Sequence, residues 1–219
     1  MNARPLISVV IPAYNAEAFI AEALASVRNQ HDAPAIETIV VDDGSNDRTV
    51  DIAREGGVEK VLIHQANRGI GAARNTGVAK ASGGFLAFLD ADDLWTADSL
   101  AARMSALLEA GADAAFGLVE QFGATQLAEP PAFAYLAGTM LLTRAAFERV
   151  GAFDERVAVG EFVDWFARAQ EAGLRVTATT SLVLRRRIHT ANTGISRRDD
   201  RVDYTRVLRS ALQRRRGDA

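Results

Sequence analysis

Hydrophobic positions in the first half of the chain alternate between two periods. "LISVVIP" (6–12) is an unbroken apolar, β-branched run, the pattern of a strand buried on both faces. Between Ala16 and Gln30 the apolar residues Phe19, Ile20, Ala23, Leu24 and Val27 recur at helical spacing. The same alternation predicts strands over "IETIVVDD" (36–43), "VEKVLIH" (58–64) and "FLAFLD" (85–90), with helices over Asp47 to Arg54 and Gly69 to Ala81. Gly56-Gly57 closes the first of these two helices.

The second half is less regular. A helix is predicted over Asp98 to Ala110, a strand over 113–122, a loop at Pro130-Pro131 and a strand over 138–144. A short helix ended by Gly151 follows, then a helix from Glu161 to Ala172 ended by Gly173, then one or two strands in "LRVTATTSLVLRRRIH". Residues 199–216 read as an arginine-rich terminal helix bearing Val202, Val207, Leu208 and Leu212. No linker or repeat divides the chain. The expectation is one domain over 1–219, with a first half at about 6–95, a second at about 96–198, and the terminal helix. Strands alternating with helices imply right-handed crossovers and an α/β fold with a mostly parallel central sheet and helices on both faces.

In such a sheet ligands bind beyond the carboxyl ends of the strands. Those ends read Pro12-Ala13-Tyr14-Asn15, Asp42-Asp43-Gly44-Ser45 and Asp90-Ala91-Asp92-Asp93, so three polar clusters are expected along one edge. Each alone is an ordinary turn, with Ser45 or Asn46 capping one helix and Asp93 or Asp98 another. Together they gather carboxylates whose mutual repulsion a hard divalent cation such as Mn²⁺ or Mg²⁺ relieves. "NRGIGAARN" (67–75) mimics a dinucleotide fingerprint, but Arg74 stands where the third glycine belongs, and the turn follows the third strand rather than the first. Arg68 or Arg74 near this helix start is instead expected to face a diphosphate, helped by backbone N–H groups.

Composition narrows the remaining classes. The chain has 219 residues, 48% of them hydrophobic, and a formal net charge of -3, which gives nucleic acid no bulk electrostatic attraction. It has no cysteine, which excludes disulfides and thiolate metal sites. The apolar run near the N-terminus is too short for a signal peptide, and no stretch approaches the ~20 apolar residues of a membrane span. A cytoplasmic enzyme is expected.

The ordered set "VVIPAYN", "VDDGSNDRT", "NRGIGAARN" and "FLDADDLW", followed by "GTMLLTRAAFERVGAFDE", "GEFVDWFARAQEAGLRV" and "RRRIHTANTG", resembles a GT-A-fold glycosyltransferase of family 2 over roughly residues 6 to 195. The resemblance implies an inverting, hexosyltransferase-type enzyme using a nucleotide-sugar donor, most commonly a UDP-sugar, and Mn²⁺ or Mg²⁺. By position, Pro12, Ala13, Tyr14 and Asn15 would frame the nucleobase and Asp43 would hydrogen-bond it. Asp90 would approach the ribose or a metal-bound water, Asp90-Ala91-Asp92 would form the metal motif, and His189 would lie near metal and diphosphate. His31 and His64 read only as surface histidines. The family's usual Glu-Asp at the catalytic base is here Glu161-Phe162, so the base is Glu161, or Asp164, or is lost. The acceptor would be a saccharide or a lipid-linked sugar, and the sequence permits an oligomer. The terminal basic helix is either docked on the core or meets the inner face of an anionic membrane. Two other readings are a non-catalytic nucleotide-sugar-binding or scaffold subunit, motivated by Phe162, and a sugar nucleotidyltransferase.

Overall fold

The computed structural model describes residues 6–64, 66–123 and 130–189. The predicted terminal helix at 199–216 lies outside them. Among the described residues one nine-stranded sheet organises the fold, in the order β3 (Lys60–Ile63), β2 (Ala35–Asp42), β1 (Leu6–Ala13), β4 (Phe85–Phe88), β8 (Leu141–Thr143), β6 (Ala114–Gly123), β9 (Val176–Ile188) and β5 (Leu94–Trp95), with β7 (Ala132–Phe133) added at β6. Its parallel part is built on β1 (Leu6–Ala13), paired in parallel with β2 (Ala35–Asp42) on one side and β4 (Phe85–Phe88) on the other. Parallel pairing continues from β2 to β3 (Lys60–Ile63). Beyond β4 the sheet becomes mixed. The short β8 (Leu141–Thr143) runs antiparallel to β4 and to β6 (Ala114–Gly123), while β6 and β9 (Val176–Ile188) are parallel.

The continuous apolar run of β1 is explained by burial on both faces. Ile7, Val9 and Ile11 pack in one core with Leu24 and Val27 of α1 (Ile20–Arg28) and Leu100 and Leu107 of α4 (Ser99–Glu109). Val10 faces the other core with Leu86, Phe88, Phe147 of α5 (Arg144–Val150), and Phe162 and Trp165 of α6 (Glu161–Glu171). Between β2 and β3 lies α2 (Thr49–Glu55), and between β3 and β4 lies α3 (Ile70–Lys80). Gly77 of α3 sits where a Cβ would overlap the Val10 side chain, so the glycine lets this helix settle onto β1.

Several elements differ from the sequence pattern. Residues 137–139 form a 3-10 turn, which leaves β8 only three residues. The stretch 174–189 makes one long strand, carried through two register shifts against β6. Two-residue strands β5 (Leu94–Trp95) and β7 (Ala132–Phe133) exist through their antiparallel partners β9 and β6 rather than through any period of their own. Neither Ser45 nor Asn46 caps α2. The Ser45 hydroxyl accepts from the Asn15 N–H at 2.8 Å and the Asn46 N–H donates to Asn15 Oδ1 at 2.9 Å, which stitches the turn after β2 to the turn after β1. Asp98 precedes α4 without capping it through its side chain.

Candidate active site

The carboxyl ends of β1, β2 and β4 do meet along one edge. Pro12, Tyr14, Asn15, Ala16, Phe19, Ile70, Asp90, Ala91, Asp92 and His189 line a cleft of about 370 Å³. A smaller cavity of about 120 Å³ adjoins it, sharing Pro12, Tyr14 and Ile70 and adding Ala13, Asp43, Asn67 and Gly69. A third hollow, of about 170 Å³, opens beside Asp90 between the end of β9 and the start of α6, with Arg74, Asp93, Tyr135, Glu161 and Arg186 among its walls.

Asp43 is buried, and its carboxylate gathers the loop before α3. Oδ1 accepts the Arg68 N–H at 2.9 Å, and Oδ2 accepts the Gly69 N–H at 2.7 Å. Gly69 adopts φ +90, a conformation suited to glycine, which turns its N–H onto the carboxylate as α3 begins. His64, expected at the surface, is buried instead. Its Nδ1 lies 2.7 Å from Asp43 Oδ1, and its Nε2 lies 3.0 Å from the Thr76 hydroxyl. Only its place after an apolar strand, one turn ahead of the 67–75 motif, hinted at this in the sequence.

Asp90, Asp92 and Asp93 leave β4 in three directions. Asp90 Oδ1 accepts from Arg74 at 2.7 Å, and Asp92 Oδ2 meets His189 Nε2 at 2.9 Å. Asp93 Oδ1 accepts the Arg187 N–H at 2.8 Å, which, with Arg187 Nε donating to the Asp92 carbonyl, locks the end of β9 onto this turn. His189 also packs on the Phe19 ring at 4.7 Å. Burial, reinforced by Asp90, raises the Asp92 carboxyl above its usual range. Burial, then Asp90 and Asp92, push Asp93 well above it. That crowding fits a divalent cation, as does a donor set of two carboxylates and an imidazole lining one cleft. Among the described residues no three such groups already converge at metal-binding distance.

Two residues expected to face a diphosphate do otherwise. The Arg68 side chain reaches out to Glu155 at 3.0 Å, and it is the backbone N–H of Arg68 that serves Asp43. Arg74 is fully buried, donating to Glu161 Oε1 through one nitrogen and to Asp90 through another. Burial alone would lower the pKa of this guanidinium, but Asp90 and Glu161 more than offset it. Arg74 therefore links the cleft and the hollow from inside the protein.

Glu161 opens α6 after Gly160 in the left-handed conformation, and it lines the hollow. Its Oε2 has no hydrogen-bond partner among the described residues. Asp164, one turn on, accepts from Arg168 at 2.9 Å and is not a wall of the hollow. Phe162, the departure from the family's pattern, is a core residue stacked on Trp165 and Phe166. Residue 162 is thus spent on packing, and the carboxylate at 161 keeps its place.

The sheet order and the edge cleft define a GT-A-type fold. Pyrobaculum calidifontis mannosyltransferase PcManGT, solved with GDP-Man and Mn²⁺, superposes with TM-score 0.74 at 20% identity, covering 100% of this chain and 66% of that one. TarS 1–349 of S. aureus in complex with UDP gives TM-score 0.75 at 23% identity, covering 94% of this chain and 64% of that one. The glycosyl transferase family 2 model matches residues 8–175, and the chain belongs to that family. Glycosyltransferase AglE of Haloferax volcanii is 32% identical over 194 residues, 79% of this chain. The chain spans 64% of AglE's length, and as little as 26% of another curated relative.

Proposed function

We propose that this domain transfers a sugar from a nucleoside-diphosphate donor to a hydroxyl acceptor with inversion, the donor being a UDP-sugar and Glu161 the general base. The observation that carries this reading is that cleft and hollow meet at Asp90, with the open oxygen of Glu161 on the hollow's wall. The nucleotide would occupy the cleft and the smaller cavity adjoining it, between Tyr14, Asp43 and Asp92, and the acceptor the hollow beside Tyr135. Glu161 Oε2 takes the proton of the acceptor hydroxyl while that oxygen bonds to the anomeric carbon. The bond from the anomeric carbon to the diphosphate oxygen breaks, and the electron pair leaves with the nucleoside diphosphate. One displacement inverts the centre. Base assistance of this kind is worth roughly 100- to 10,000-fold.

Asp90, Asp92 and His189 are the residues that would hold Mn²⁺ or Mg²⁺, which when bound supplies positive charge beside the diphosphate. Arg74 keeps Glu161 and Asp90 in fixed relation, so the two halves of the site stay in register. The hollow suits a saccharide, free or lipid-linked, with Tyr135 half exposed on its wall. Among the described residues no helix is long and apolar enough to cross a membrane.

The test is release of nucleoside diphosphate from UDP-sugars by the purified protein with Mn²⁺ and a panel of glycosyl acceptors. Glu161→Gln is expected to lower turnover more than about 100-fold while UDP binding survives, because the amide keeps the shape but takes no proton. Asp164→Asn is expected to be milder, its partner being Arg168. The reverse order would move the base to Asp164, and undiminished turnover in both would reject a carboxylate base on α6.

A further inference from the structure

The GT-A fold accepts more than one nucleobase, since TarS is solved with UDP and PcManGT with GDP-Man. The geometry around Asp43 points to how this chain chooses, and the inference rests on Asp43 facing the base of the donor. We propose that His64 is a positioning residue that leaves one acceptor site of Asp43 open to the cavity and thereby selects uracil over guanine.

An ionised carboxylate offers about four lone-pair sites. Asp43 spends three. Oδ1 takes the Arg68 N–H and the His64 ring, while Oδ2 takes the Gly69 N–H. A carboxylate only accepts, so Nδ1 of His64 carries the proton and donates it. The ring cannot rotate to release Oδ1, because its other nitrogen is engaged by Thr76 on α3 and the side chain is buried. Asp43 lines the cavity, and its one remaining acceptor site is on Oδ2.

A uracil ring presents one imide N–H between two carbonyls and needs one acceptor. Guanine presents two adjacent donors, N1–H and the 2-amino group, and needs both carboxylate oxygens. Cytosine and adenine pair an amino donor with a ring nitrogen that wants a donor in return, which a carboxylate cannot give. With Oδ1 held by His64, only the uracil edge is fully matched. A buried donor left without a partner is penalised.

Binding of UDP, GDP, CDP and ADP in the presence of Mn²⁺ tests this on the intact chain, wild type against His64→Val, His64→Asn and Thr76→Val. Wild type is expected to prefer UDP to GDP by about tenfold or more, one unpaired hydrogen bond's worth. His64→Asn keeps a donor near the Nδ1 position and should retain the preference. In His64→Val, UDP affinity should fall and the UDP-to-GDP ratio shrink, with donor KM rising and kcat at saturation held. Thr76→Val, which frees the ring without emptying the core, should show the same change in smaller degree, and it serves if His64→Val fails to fold. Equal wild-type affinity for UDP and GDP would overturn the proposal, as would an unchanged ratio in both His64→Val and Thr76→Val. Failure of any nucleoside diphosphate to bind would instead overturn the donor reading itself.

Discussion

Asp92 and Asp93 are neighbours in sequence with opposite duties. Asp92 lines the cleft and meets His189, whereas Asp93 is buried and spends an oxygen on the Arg187 N–H. Asp92→Ala is expected to weaken UDP binding in Mn²⁺ and to lower turnover by more than about 100-fold, the scale of losing a Lewis acid. Asp93→Asn keeps an amide oxygen for Arg187 and should leave Mn²⁺-dependent UDP binding near wild type. Calorimetric titration of UDP with and without EDTA separates the two, and wild-type turnover undiminished in EDTA would remove the cation from the reading. The aspartates were legible because acids at the end of an apolar strand have few structural reasons to be there. His64 and Arg74 were not. A lone histidine and an arginine on a helix carry no pattern that says buried, and their burial comes from partners 12 to 87 positions away.

At the scale of elements, period located β1, β2, β4 and the helices of the described residues to within a few residues, because each buries a continuous face. It missed β5 and β7 and ran β8 too long, since two- and three-residue strands are defined by hydrogen bonds to a partner. The strands also share a polar knot at the end opposite the cleft that no period announces. Ser8, buried in β1, donates to Glu37 Oε1 of β2 at 2.5 Å, and the same carboxylate accepts from Ser82, from the Gly83 N–H and from Lys60 Nζ. Burial alone would raise the Glu37 pKa, but these bonds prevail and hold it at about 2. A folded-state pKa below the unfolded one gives stability that is present above the ordinary glutamate range and lost as pH falls through about 2. Glu37→Gln is therefore expected to be less stable at neutral pH and to lose part of the acid dependence between about pH 4.5 and 2. Urea denaturation across that window reads both. A Glu37→Gln profile parallel to wild type would mean that the knot contributes nothing to acid stability.

The whole molecule assembles its candidate site from segments that only the folded sheet brings together. Residues 12–16 come from the end of β1 and the turn after it, Asp43 from the turn after β2, 90–92 from the turn after β4 and 189 from beyond β9, and the turn after β1 is tied to the turn after β2 by Asn15 and Ser45. The unfolded chain holds no such arrangement, so a nucleotide that binds the cleft binds the native state alone and raises the melting temperature by mass action. At a ligand concentration of about 100 Kd the gain is ~2.7 kcal/mol, which for a chain of this size corresponds to roughly 5–10 °C. Because Asp92 and Asp93 repel Asp90 across one turn, the rise with UDP is expected to be larger in Mn²⁺ than in EDTA, and larger than the separate effects of UDP and Mn²⁺ added together. Such coupling is what two ligands sharing a carboxylate cluster and a diphosphate produce. Strictly additive shifts would place cation and nucleotide in separate sites, and Asp92→Ala is the control in which the coupling should vanish while the melting temperature without ligand stays near wild type.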